Sequence, residues 1–193
     1  MRYPSERKQE TRDRIVRAAS RRFRDKGEKR VAIADLMREI KLTHGGFYRH
    51  FGSKQDLFAE GIAKGLEECA VKLARHAEKA RPGSELRTII ETYLSMEHCS
   101  RPADGCPVAA LASEVARQPR VVRFRFEQAI GDYMKLLGRF LPGTTEGERQ
   151  RNFMVLFPGM AGALSVARAV ADEGLRQRIL QAAREFYIKS FCP

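Results

Sequence analysis

Apolar residues recur at intervals of three and four along nearly the whole of this 193-residue chain, and nowhere do β-branched residues alternate for the length of a strand. A period near 3.6 buries one stripe of a helix and leaves no sheet face, so the fold class is all-α. Ile15, Ala19 and Phe23 form the first stripe, and Gly27 ends it where a helix C-terminal glycine stands. Ile33, Leu36, Met37 and Ile40 mark a second helix of barely two turns. Leu42-Thr43 opens a third, with Thr43 as N-cap and Leu42 and Phe47 as its hydrophobic staple, and that stripe closes at Phe51-Gly52. Ser53, with Asp56 three residues on, caps a long fourth helix that carries Leu57, Ile62, Leu66, Ala70, Leu73 and Ala77 to the break at Arg81-Pro82-Gly83. A fifth stripe runs from Leu86 to Leu94, a breaker stretch occupies 100–105, and a short helix covers about 106–117. The seventh helix reaches about Leu141, and the capping box Thr145-x-x-Glu148 opens the eighth, which Pro158 should kink or divide. A last helix from about Leu175 to Phe191 brings the working count to nine.

Composition narrows what such a helical chain can serve. Lys and Arg number 36 against 24 Asp and Glu, net +12, while 43% apolar residues supply a core and exclude disorder. Residues 1–60 hold 16 basic and 9 acidic residues, net +7, and form the more concentrated positive pole. A balance of this kind points to nucleic acid, an acidic membrane surface or an anionic substrate. No apolar run approaches the roughly 20 residues that span a bilayer. The amino terminus is charged where a secretory signal is apolar, so a cytoplasmic location and no membrane partner are expected. Cys69, Cys99, Cys106 and Cys192 make no Cys-x-x-Cys pair and show no metal-ligand spacing with His76 or His98. No metal and no cofactor are expected, and each cysteine reads first as a buried reduced thiol.

Two short helices joined by a tight link, preceded by a longer helix and set in the basic third, are the parts of a helix-turn-helix. With Phe47 and Phe51 turned to the core, the free side of the third helix carries Thr43, His44, Gly45, Tyr48 and Arg49, types suited to base edges and phosphates. Gly45-Gly46 costs a helix interior roughly 1 kcal/mol per glycine, which points to close approach of backbone to a partner, here DNA.

Asp35-Leu36 followed by the run from Leu42 to Phe58, with its Phe47-Tyr48-x-x-Phe51-x-Ser53-Lys54-x-x-Leu57 core, resembles the DNA-binding signature of TetR-family transcriptional regulators. The resemblance extends from about Thr11 to Phe58. It implies a DNA-binding domain over 8–68, with the recognition helix at about 43–50, and a ligand-binding and dimerisation domain over 69–193. Position by position, it implies that Thr43 caps the recognition helix and touches phosphate, that His44 and Gly45 present atoms to base edges, and that Tyr48 and His50 reach the DNA backbone. Lys54, at the start of the fourth helix, would bind phosphate. Lys41 stands where the family commonly has glycine, and Val31-Ala32 where it favours Thr or Ser. Arg7, Lys8, Arg12 and Arg14 either track the duplex or form a solvated basic tail.

The family resemblance also implies that the last two helices pair with those of a second copy, giving a homodimer on a near-palindromic duplex, and that the usual output is repression relieved by a small-molecule effector. Phe153, Met154, Leu156, Phe157 and Met160, with Ile179, Leu180, Phe186 and Tyr187, are apolar enough for such an interface. The small residues Gly159, Ala161, Gly162 and Ala163 suit either helix association or internal packing. Met96, Phe124, Phe126, Tyr133, Met134 and Phe157 offer adaptable lining for an uncharged effector, whose identity the sequence leaves open. Gly105-Cys106-Pro107 and the following Ala109 to Val115 resemble the Gly-Cys segment of family members that respond to N-ethylmaleimide, which makes Cys106 a candidate thiol sensor; a buried structural cysteine fits the same residues. An enzyme is not expected. The chain has no Gly-rich phosphate loop, nucleophile elbow or paired metal motif, and nothing orients His98 as a base toward Cys106. A single-strand coating protein would need spaced stacking aromatics that are absent.

Overall fold

The computed structural model describes residues 4–192, with side chains from Glu6 onward, and every described regular element is helical. Helices α1 (Pro4–Lys26), α2 (Ile33–Glu39) and α3 (His44–Phe47) form the amino-terminal group. Helix α4 (Lys54–Glu78) leads into α5 (Glu85–Tyr93), α6 (Met96–Ser100), a 3-10 turn (Pro102–Asp104), α7 (Pro107–Val115), α8 (Arg120–Gly138), α9 (Glu146–Ala169) and α10 (Glu173–Phe191). The nine expected helices are all present; α6 is a five-residue turn that the fifth stripe did not separate. Ser95 makes the break: extended at φ −83°, ψ 154°, it accepts from the His98 N–H at 3.1 Å and so caps a new helix instead of continuing α5.

Local chemistry sets the other boundaries as expected. Gly27 adopts φ +78° and its N–H returns to the Phe23 carbonyl at 2.8 Å, a left-handed stop that suits a residue without Cβ. Ser53 Oγ accepts from the Asp56 N–H at 3.0 Å, and Thr145 with Glu148 forms the reciprocal capping box at the start of α9. Pro158 does not divide α9, which continues as one helix to Ala169. The flanking apolar residues Phe157, Met160, Ala161 and Leu164 are buried, so packing holds both halves in register across the missing donor.

Helix α4 is the axis of the molecule. Its buried stripe from Leu57 to Ala77 receives α1 on one side and α5 and α8 on others, in one core that runs from Ile15 to Leu180. Because the same helix starts beside the helix-turn-helix and ends deep in the second group, no linker separates the two parts. No described helix is long and apolar enough to cross a membrane.

Candidate nucleic-acid interface

The link between α2 and α3 is a Schellman turn. The Leu42 N–H donates to the Met37 carbonyl at 2.8 Å and the Lys41 N–H to that of Arg38 at 3.0 Å, with Lys41 at φ +59°. Lys41 therefore occupies a left-handed position that glycine holds without steric cost, which explains why glycine is common there and shows that lysine still makes the turn.

Helix α3 is shorter than the expected 43–50. Its α-helical part ends at Phe47, and the chain continues to Phe51 through tighter turns, with the Arg49 N–H donating to Gly46 and the His50 N–H to Phe47. Thr43 occupies the N-cap position, but its hydroxyl makes no capping bond. The Gly46 N–H that it would accept from is already donated to the Thr43 carbonyl at 3.0 Å. The hydroxyl stays exposed and free for an external acceptor.

Phe47 and Phe51 stack at 5.5 Å between centroids and lock one side of this turn into the core. The opposite side presents Thr43, His44, Gly45, Tyr48 and Arg49, all exposed. Tyr48 is 65% exposed, lies 5.7 Å from the His44 ring and packs edge-on against Phe47. A Cβ added at Gly45 would meet nothing within 4 Å, whereas one at Gly46 would stand 3.3 Å from Thr43 Oγ1. Gly46 thus has a close neighbour within the monomer, and Gly45 has none.

His50 and Lys54 are not free in the same way. His50 is half-buried with Nδ1 unpartnered, and burial, then the charges of Lys8, Arg12 and Arg49, lower its pKa below the ordinary histidine value. Lys54 Nζ lies 3.0 Å from Glu28 Oε1, so a phosphate there would have to share or displace that carboxylate. Sequence reasoning could not supply Glu28, which comes from the turn after α1. Arg7 and Lys8 belong to α1 and not to a tail. Arg14 Nη2 donates to the Ile40 carbonyl at 2.9 Å. Arg12 pairs with Glu60 through both nitrogens while lying 4.6 Å over the Phe51 ring, and Arg125 of α8 approaches the same carboxylate at 3.6 Å.

The 3-10 turn and α7 join the second group to α1. Arg24, 5% exposed, donates to the Gly105 carbonyl at 2.8 Å, and Glu114 accepts from the Glu28 N–H at 2.7 Å. Cys106 follows at the α7 N-cap, wholly buried. Burial alone would raise its thiol, but the nearby Cys69 and Tyr93 side chains and the Val108 and Ala109 amides at the start of α7 bring its pKa down to about 7. His98 is no base for it: Nε2 accepts from the Cys106 backbone N–H at 2.9 Å and Nδ1 faces the Tyr93 carbonyl at 2.6 Å. Burial also lowers the His98 pKa to about 4 and keeps the ring neutral.

The expected effector lining does not converge on one cavity. Tyr133 and Phe157 meet at 4.6 Å and Phe153 stacks on Phe157 at 5.1 Å, leaving about 20 Å³ among Leu86, Ile89 and Met160. That is far less than a small organic molecule needs. Phe124 and Met134 instead line an outer groove beside Met154.

Residues 15–60 match the family model described as bacterial regulatory proteins, tetR family. The transcriptional regulator TtgR of Pseudomonas putida is 36% identical over 78 residues, covering 40% of this chain. The chain spans 37% of the length of that relative and of a second from the same organism. LmrA of Bacillus subtilis, another regulator of this helix-turn-helix type, is 24% identical over 126 residues, 64% of this chain and 67% of its own. Over the whole fold, a TetR-family regulator from Cytophaga hutchinsonii superposes with TM-score 0.76 at 17% identity, covering 96% of both chains. The reduced form of Escherichia coli NemR gives 0.75 at 16%, covering 95% of this chain and 98% of that one.

Proposed function

We propose that this chain is a sequence-specific DNA-binding transcriptional regulator of the TetR kind, acting as a homodimer and most often as a repressor. The observation that carries it is the face of α3: one side pinned by Phe47 and Phe51, the other offering Thr43, His44, Gly45, Tyr48 and Arg49 to a major groove. The match of residues 15–60 to the TetR family model supports the same reading. Residues 8–68 serve as the DNA-binding part and 69–193 as the regulatory and dimerisation part, with α4 continuous between them.

Dimerisation rests on α9 and α10. Helix α10 buries only Leu180 within the described monomer although it carries Leu175, Ile179, Phe186, Tyr187 and Ile188; Phe186 is 64% exposed. Val155 and Val166 of α9 are also open, and Gly162 has nothing within 4 Å of where a Cβ would stand, so another helix can approach there. Gly159 is different, because Tyr187 fills the space beside it.

Release from DNA follows when an uncharged effector, or modification of the Cys106 thiol at the junction with α1, favours a spacing of the recognition helices that misfits successive grooves. A ligand that prefers one form ~100-fold supplies ~2.7 kcal/mol toward that shift. Selection from random duplexes tests the reading: the dimer should enrich a near-palindrome with half-sites set by the helical repeat, and enrichment of no sequence would refute it. Transcripts of neighbouring genes, measured after deletion of this one, should rise if the output is repression.

A further inference from the structure

The turn after α1 is fixed by a residue 86 positions further along the chain. The Glu28 N–H donates to Oε2 of Glu114, on α7, at 2.7 Å. The Val31 N–H closes the same turn onto the Glu28 carbonyl at 3.3 Å. A Cβ at Gly27 would stand 2.6 Å from Glu114 Oε1, so glycine here makes room for the carboxylate as well as supplying the φ of +78°. Glu114 is held in turn by its helix. Leu111 and Val115 beside it are buried, and α7 packs on α1, α4 and α9.

Glu28 also reaches the candidate DNA face. Its backbone is bound by α7, and its side chain lies 3.0 Å from Lys54 Nζ. The Glu28 side chain is 15% exposed and that of Lys54 30%, so the pair is partly shielded from water and salt. The carboxylate therefore holds the cation that a DNA phosphate would use at the first turn of α4. The start of α2 offers no side-chain donor in its place, because Val31 and Ala32 stand there.

We propose that Glu114 is a positioning residue for DNA binding: it fixes the turn at Gly27 and Glu28 so that the Glu28 carboxylate covers Lys54, and phosphate binds Lys54 only by displacing it. This rests on the reading of Lys54 as a phosphate contact and adds the group that governs it, which belongs to the regulatory part. The structure is then the partly masked form. A shift of α7 that withdraws Glu114 frees the turn, lets Glu28 leave Lys54 and raises affinity for phosphate; a shift that preserves the bond preserves the mask. What Glu114 supplies is reach and not charge, since it accepts from a backbone N–H and forms no ion pair among the described residues.

Two variants separate those properties. Glu114→Gln keeps an oxygen at the same reach and loses the charge, whereas Glu114→Asp keeps the charge and is one methylene short. The full-length proteins are labelled briefly, without DNA, by an amine-acylating reagent, and the rate at Lys54 is read by peptide mass spectrometry against the other lysines. Lys54 should react about two- to fivefold faster in Glu114→Asp and in Glu28→Gln, the size expected for loss of one partly exposed ion pair, and at the parent rate in Glu114→Gln. Affinity for a random duplex at fixed salt should follow the same order, and Glu114→Asp should gain nothing when Lys54→Ala is already present. A merely structural role would lower the melting temperature without this dependence on Lys54.

Parent-like labelling in Glu114→Asp, equal acceleration in Glu114→Asp and Glu114→Gln, an unchanged duplex affinity in Glu114→Asp, or a gain that survives Lys54→Ala overturns the proposal. If the labelling pattern holds but the parent binds no duplex, Glu114 still positions Glu28, and it is the DNA-binding reading that fails.

Discussion

Replacing Gly45 with alanine separates a residue kept for the fold from one kept for a partner. In the free protein a Cβ at this position meets nothing within 4 Å, so the substitution adds no clash. It removes backbone freedom from the unfolded chain, and in a helix interior that is worth up to about 1 kcal/mol. For a chain of this size such a gain raises the melting temperature by roughly 2–4 °C. On DNA the sign reverses. If the backbone at Gly45 lies against the groove, the methyl must push α3 outward or cost neighbouring base contacts of ~1–3 kcal/mol, a loss of roughly tenfold or more in affinity. Thermal melting and fluorescence anisotropy with the selected duplex, both in one buffer at about 150 mM salt, give the two numbers. Gly46→Ala is the control, because its Cβ would press on Thr43 Oγ1 at 3.3 Å and should gain less stability or lose some. A Gly45→Ala protein that is more stable and binds DNA as tightly as the parent would refute the close approach.

Lys54→Ala should weaken binding to all duplexes alike and reduce the salt slope by about 0.9, while Glu28→Gln, which frees the Lys54 ammonium, should strengthen sequence-independent binding; salt titrations of both check this. His44→Ala should change the preference among operator variants more than the overall affinity, read by repeating the duplex selection. Lys41→Gly should stabilise the protein by up to about 1 kcal/mol in urea unfolding, since it relieves a left-handed lysine at φ +59°. His98 has its pKa lowered from 6.5 to about 4 by burial, so the unfolded chain binds its proton first. Its contribution is intact above pH 6.5 and falls away toward pH 4 by on the order of 3 kcal/mol, and His98→Gln should flatten that part of the stability profile.

Local sequence signals reported local structure well. Gly27, Ser53 and the Thr145–Glu148 box stop and start helices through bonds spanning three or four residues, and such bonds can be read from spacing. Thr43 failed as a side-chain cap for an equally local reason: the tight turn at Gly46 spends its N–H on the Thr43 carbonyl. The exposed face of α3 was legible because Phe47 and Phe51 fix which side is buried. What escaped were pairings between distant segments. Glu28 against Lys54 and Glu60 between Arg12 and Arg125 each depend on how whole helices cross. No periodicity along one helix encodes a partner on another. The effector cavity escaped for a related reason, since Tyr133, Phe153 and Phe157 fill with their own rings the space that their apolar character suggested for a ligand.

The central claim is that two copies of the α3 face read a specific duplex. It is tested most directly by the affinity of the dimer for its selected near-palindrome and for the same duplex with one half-site scrambled, across a salt series through about 150 mM. The selected duplex should bind one dimer and exceed a fully random duplex by ~10³ or more at that salt, with the half-scrambled duplex between them. Equal affinity for all three at every salt concentration would contradict the account and leave only a basic surface attracted to phosphate.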